Sequence, residues 1–292
     1  MAERIALAEH IRSVGIDHLF VADHVSFHDG TGMDGLVEAA MLATRCPDLE
    51  VCVGVYLLAL RHPVTVARQI ASIARSVPGQ LVLGVGVGGE DRHEIEICGV
   101  DPRRRGDRTD HALGALRGLL SGEATSWDCE HFRFEDAIIR PAPDPRVPIL
   151  VGGRADAALR RAGRYADGWL GVFSSPQRYA AACAEVEAHA SEAGRSGACR
   201  AHGIQVWVGL DDDRAAARER LARRMEGFYH LPYERFERYA PHGSVEAVAE
   251  ALAGWLDAGC RRFNIMAVAE SERAAIDGTA AIAEALRAHD GA

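Results

Sequence analysis

The stretch Val51–Gly99 reads VCVGVYLLALRHP (51–63), VTVARQIASIARSV (64–77), LVLGVGVGGED (81–91) and HEIEICG (93–99). Two apolar, β-branched-rich runs, Val51–Leu58 and Leu81–Val87, flank a segment in which Val66, Ile70, Ile73, Ala74 and Val77 recur at helical spacing. This spells strand, helix, strand. Runs apolar on both faces suit a parallel sheet covered on both sides, and a connecting helix is what a parallel crossover requires. Each strand ends in distinctive chemistry: Arg61-His62-Pro63 after the first, and Gly84, Gly86, Gly88 and Gly89 followed by Glu90-Asp91 after the second. In parallel α/β folds, sites are built at the carboxyl ends of strands.

The same alternation extends in both directions. Residues 3–14 form an amphipathic helix stopped by Gly15, and Leu19–Ala22 is a short buried strand that delivers Asp23 and His24 to its carboxyl end. A polar, Gly-rich loop, VSFHDGTGMDG, leads to a helix over about 36–44. Downstream, RTDHALGALRGLLSG is helical, Trp127–Pro145 is a hairpin and excursion loop rich in proline, and Val147–Val151, Trp169–Phe173, Ile204–Gly209 and Phe263–Val268 are strands. Helices follow each of these, the last being AAIAEALRAH, and Ser244 is placed to cap VEAVAEALAGWLDAG. Seven strands alternating with helices, led by a helix without its strand, predict a single (β/α)8 TIM-barrel domain over 1–292 that lacks its first β-strand.

Composition narrows the function. The 292 residues are 48% hydrophobic and 26% charged, as in ordinary globular proteins, and the net charge of −9 disfavours nucleic acid or an anionic membrane as partner. All 33 basic residues are Arg, so a Walker-type phosphate loop and a Schiff-base mechanism, which need a lysine amine, are excluded. The seven cysteines contain no C-x-x-C pair and fit reduced thiols. No apolar run approaches the roughly 20 residues of a membrane span, and Met1-Ala2-Glu3-Arg4 opens into a helix with no signal-peptide pattern. The expectation is a cytoplasmic protein acting on a small molecule.

Several residues carry chemistry. An imidazole at a strand's carboxyl end, His24, can donate or accept a proton near neutral pH, and the adjacent Asp23 can orient it; a structural cap is the alternative. Gly152-Gly153 joins a strand to a helix N-terminus, where backbone N–H groups can receive a phosphate, although a tight turn also needs glycine. The cluster Gly84–Gly89 has the wrong spacing for a dinucleotide fingerprint and more plausibly lets a ring lie against the strand end. Among Glu90, Asp91, His93 and Glu94 one could serve as an acid. Asp23 with His24 and His28, or His93 with Glu94, offer metal-ligand types, but no H-x-H occurs and no metal is expected.

The ordered set VADHV (21–25), VGVYLLALRHPVTVARQ (53–69), LVLGVGVGGE (81–90), EIEICGVDPRRRGDRTD (94–110), PAPDPRVPILVGG (141–153), YADGW (165–169) and GSVEAVAEALAGWLDAGCRRFNI (243–265) resembles the bacterial-luciferase-like superfamily, specifically its branch using the deazaflavin coenzyme F420. Relatives begin with a strand before the helix at 3–14, which is where this sequence departs from them. The resemblance implies hydride transfer between F420 and an organic substrate, with His24 as proton donor or ring contact and Asp23 orienting it. It also implies a non-proline cis peptide at Gly54-Val55, a ring face of Gly54, Val55 and Leu57 with Gly86 and Gly88 beside it, a phosphate on Gly152 and Gly153, and a substrate pocket near His28 and Glu90. The loops 25–35, 90–106 and 225–242, with Phe27, Phe228, Tyr229, Tyr233 and Phe236, suggest an apolar or aromatic lining. The alternatives are an FMN-dependent monooxygenase supplied by a separate flavin reductase, and a non-catalytic flavin-binding protein. A homodimer is expected by resemblance.

Overall fold

The computed structural model describes residues 2–291, with side chains from Ala6 onward; Met1, which opens the sequence-level argument about a leader, lies outside them. The order is α1 (Ala2–Ser13), β1 (His18–Val21), α2 (Gly35–Arg45), β2 (Glu50–Leu57), α3 (Pro63–Ser76), β3 (Leu81–Gly86), α4 (Arg92–Ile97) and α5 (Arg105–Leu119). A hairpin of β4 (Thr125–Asp128) and β5 (Arg133–Ala137) precedes β6 (Ile149–Gly152), α6 (Asp156–Tyr165), β7 (Gly168–Val172), α7 (Pro176–Glu192) and β8 (Gly203–Leu210). The chain ends with α8 (Arg214–Tyr229), β9 (His242–Gly243), α9 (Val245–Asp257), β10 (Phe263–Val268) and α10 (Glu272–Asp290).

The main sheet runs β1-β2-β3-β6-β7-β8-β10, every pair parallel, and β9 extends it by pairing with the end of β8. β3 is buried at every position, as its continuous apolar run requires, because barrel side chains cover one face and the helix layer the other. α3 turns Val66, Ala67, Ile70, Ala71 and Ala74 onto the sheet, with Pro63 in its first turn. Among the described residues, seven staves stand where a closed barrel of this type has eight. Among the described residues, β1 and β10 are not paired with each other, and an apolar groove of about 480 Å³, walled by residues such as Leu19, Phe20, Ile265 and Leu286, lies between them. At the strand starts His18 Nε2 lies 3.0 Å from Asn264 Oδ1, and Arg287 of α10 donates to the Gly15 carbonyl and to Asp17 beside it.

One feature was not anticipated. Residues 92–97 form a short helix, capped by Asp91, whose carboxylate accepts from the N–H groups of His93 and Glu94. α8 and the turns that follow it, Tyr233–Arg235 and Glu237–Tyr239, lie over the carboxyl ends of the strands as a roof.

Candidate active site

Residues from every main strand end or the loop beyond it converge on a cavity of about 650 Å³ under that roof. Its floor is set by β2. The Gly54-Val55 peptide is cis, as the resemblance implied, and the register between β2 and β3 shifts between Val53 and Tyr56. The shift pushes the Val55 side chain toward the neighbouring strands, and glycines make room for it. A Cβ on Gly86 would sit 2.3 Å from a Val55 methyl carbon, and one on Gly152 would sit 2.8 Å from another. Gly86 of β3 and Gly152 of β6 are therefore required first by Val55, and both also line the cavity, whereas Gly84 answers to the Val53 carbonyl.

At the end of β1, His24 lines the cavity, and its Nδ1 lies 3.1 Å from Glu94 Oε2. Glu94 is 2% exposed, and its other oxygen accepts from the N–H groups of Val25 at 2.6 Å and Ser26 at 3.1 Å. A carboxylate can only accept, so Nδ1 carries the hydrogen and Nε2 is the nitrogen left for a ligand. Behind the imidazole, Phe27 stacks at 4.1 Å between centroids and packs on Phe228 of α8.

This corrects the expected role of Asp23. Its carboxylate does not orient His24. It accepts from Leu57 N–H at 2.8 Å and Gly35 N–H at 2.9 Å, and it forms a two-pronged pair with Arg61 at 2.6 and 2.8 Å. Burial pushes the Asp23 carboxyl up, the Arg61 guanidinium and the two backbone N–H groups pull it back, and the same carboxylate raises Arg61 further. With four donors converging on Asp23, two of them from the guanidinium, the pair is ionic. Arg61 also reaches Asp34, which caps α2, and lies over the Tyr56 ring. Asp23 thus ties the ends of β1 and β2 to the start of α2.

Of the other sequence-level candidates, Gly54, Val55, Leu57, Gly88, Glu90 and Gly153 line the cavity. His28 does not: its ring stacks on His230 at 4.2 Å and its N–H donates to Asp91, on the outer side of Phe27. Of the aromatic residues expected around the pocket, Phe228, Tyr229 and Phe236 line it, whereas Phe27 lies behind His24 and Tyr233 is buried beneath α8. Trp207, Phe173 and Met266 complete the apolar wall and went unnoticed in the sequence, because they read simply as strand residues. Burial pushes the Tyr229 phenol up to about 12, opposed by the hydrogen bond it receives from Trp207 Nε1, so it stays protonated.

On the opposite side, Gly153 has φ +123°, which favours glycine, and its carbonyl is held by Trp169 Nε1–H at 2.8 Å. The turn delivers Arg154 and the start of α6, which no side chain caps, so its first-turn N–H groups can receive an anion. Among the described residues, no group of three His, Cys, Asp or Glu is arranged to hold a metal.

The family model for luciferase-like monooxygenases matches residues 1–284. The chain belongs to this family. The F420-dependent hydroxymycolic acid dehydrogenase of Mycobacterium tuberculosis is 29% identical over 259 residues, covering 86% of this chain and 71% of that protein. An uncharacterized protein of the same organism is 36% identical over 149 residues, 51% of each. The match thus spans about half the length of that relative. A solved F420-dependent secondary alcohol dehydrogenase, in complex with an F420-acetone adduct, superposes with TM-score 0.86 at 20% identity over 98% of this chain and 95% of that one. At that identity it speaks for the fold, a luciferase-like barrel.

Proposed function

We propose that this protein is an F420-dependent oxidoreductase that transfers a hydride between the deazaflavin and a small organic substrate. One observation carries the reading. A histidine whose Nδ1–H is tied to a buried glutamate lines the same cavity as the Val55 bulge and as Arg154, which precedes the uncapped start of α6. The residues fit the cofactor: the apolar floor of Val55 and Leu57 suits the face of a tricyclic ring, and the Gly153 turn with Arg154 suits its phosphate.

When bound, F420 supplies the hydride exchange. His24 holds or receives the proton at Nε2 that balances it, and Glu94 keeps the imidazole in that tautomer. Asp23 and Arg61 hold Leu57 and the start of α2 fixed around the floor. The roof of α8 sets Phe228 and Tyr229 on the wall of the cavity.

The second reading, an FMN-dependent monooxygenase, is favoured by the family description itself. Fluorescence-quenching titration of the purified protein with F420 and, separately, FMN decides between them. Binding of F420 is expected. Binding of FMN alone would select the monooxygenase, with a flavin reductase as partner, and binding of neither would overturn both. Homodimer formation, expected from the resemblance, is checked by light scattering.

A further inference from the structure

We propose that the substrate carries an anionic group, a carboxylate or its equivalent, on an apolar body, and that Arg224 receives it; this rests on the oxidoreductase reading of the cavity. The roof helix α8 carries five arginines. Three are paired with carboxylates: Arg218 with Glu237, Arg220 with Asp211, and Arg223 with Glu219. Arg214 and Arg224 have neither an ion-pair nor a hydrogen-bond partner among the described residues, and of the two only Arg224, one helical turn before Phe228, lines the cavity.

The unpaired guanidinium at the cavity mouth is a cation available to a ligand. A guanidinium stays charged at every accessible pH and presents a planar fork matched to a carboxylate. The cavity's own carboxylates leave it room. Asp23 is committed to Arg61, and Glu94, behind His24, to that ring and two backbone N–H groups. Glu90, near enough to Tyr229 to act on its phenol, is the one lining carboxylate without a hydrogen-bond or ion-pair partner among the described residues; of the two lining arginines, Arg154 lies over the Phe173 ring and Arg224 has no partner. Arg154 adjoins the turn suited to the cofactor phosphate, which leaves Arg224 on the aromatic side of Trp207, Phe228 and Tyr229. An apolar body against those rings, with its anion on Arg224, satisfies both features of the wall. Because Arg224 is solvent-exposed, keeping it unpaired costs the fold little and leaves it free to engage a ligand.

The test compares wild type with Arg224→Met and Arg224→Lys by isothermal titration, with and without F420, using 4-phenylbutyrate and its uncharged amide as probes. Wild type should prefer the carboxylate by about ten-fold or more, the usual consequence of one charged hydrogen-bonding partner. Arg224→Met should abolish the preference, and Arg224→Lys should retain part of it. Equal affinity for the two probes, binding of neither, or a preference that survives Arg224→Met would overturn the proposal. The carboxylates of the F420 tail are the other source of an anion. If Arg224→Met weakens F420 but leaves a tail-less F420 unaffected, the arginine belongs to the cofactor and the substrate assignment falls. Failure of wild type to bind either F420 or FMN would count against the oxidoreductase reading, while the probe titrations of the free protein would still judge Arg224.

Discussion

Replacing Glu94 with Gln isolates the His24–Glu94 contact with little change of shape. The glutamine carbonyl can still accept from Val25 and Ser26 N–H, now held by Oε1 at 2.6 and 3.1 Å. Its NH2 group, however, faces His24 Nδ1, where the carboxylate stood at 3.1 Å. Two hydrogens cannot share that contact, so Nδ1 must become the acceptor and the ring proton moves to Nε2, on the cavity side. A charge-assisted bond of about 1.5–3 kcal/mol is exchanged for a neutral one of about 0.5–1.5, a net loss of about 1–2 kcal/mol. That should lower the melting temperature by only a few degrees, roughly 2–4 °C per kcal/mol in a chain of this size class. The effect on proton transfer should be far larger, on the order of 10²-fold or more, the usual scale for a misplaced general acid-base group. The assay independent of any substrate is long-range ¹H–¹⁵N spectroscopy of histidine-labelled protein at pH 8: wild type should show the proton on Nδ1, and Glu94→Gln should show it on Nε2. A wild-type His24 protonated on Nε2 alone, or no tautomer change in the variant, would refute the reasoning. Cofactor affinity should stay within about three-fold, since no ring-floor residue has moved and that is well under 1 kcal/mol.

Three further outcomes follow from the same geometry. Gly86→Ala puts a methyl carbon 2.3 Å from Val55, so overpacking of about 1–3 kcal/mol should appear in urea denaturation together with weaker F420 binding, and Val55→Ala in the same chain should restore most of the stability. Asp23→Ala leaves Arg61 without its two-pronged partner and Leu57 N–H without an acceptor; about 3–5 kcal/mol should be lost, and adding Arg61→Met should recover part of it, whereas no recovery would show that the pair is not the source. Burial holds the His202 imidazole below its ordinary pKa while its Nδ1 accepts from Trp169 N–H. The unfolded chain therefore binds a proton near pH 6.5 that the folded chain refuses, so this contribution to stability is present above that pH and lost as pH falls through it; denaturation midpoints at pH 8 and pH 5 should differ less in His202→Asn than in wild type.

The barrel itself was legible because its signals are local. Continuous apolar runs at β2, β3 and β8, helical spacing between them, and Gly or Pro at the boundaries each report on a few consecutive residues, and the sheet order then follows from right-handed crossovers. The roof was less legible, since FYHLPYERFERYAPHG has no clean period and its two short turns depend on packing beneath α8. The short helix α4 was missed for a related reason: six residues are too few to show a period, although Asp91 three places before Glu94 was a usable capping signal.

Sequence by itself determined the alternation of strands and helices, the absence of lysine chemistry, and which residues stand at strand ends: Asp23 and His24, Val55, Gly86, Gly152 and Gly153. Tertiary structure alone decided what those residues do to one another. Asp23 is adjacent to His24 in the chain, yet it serves Arg61, 38 positions away, while His24 takes its partner from Glu94, 70 positions away. Gly86 and Gly152 answer to Val55 of β2, one strand and two strands away. The physical reason is that a strand's own sequence sets which face each side chain takes, but the staggered closure of the sheet sets which strand end lies opposite, and that register is a property of the whole ring.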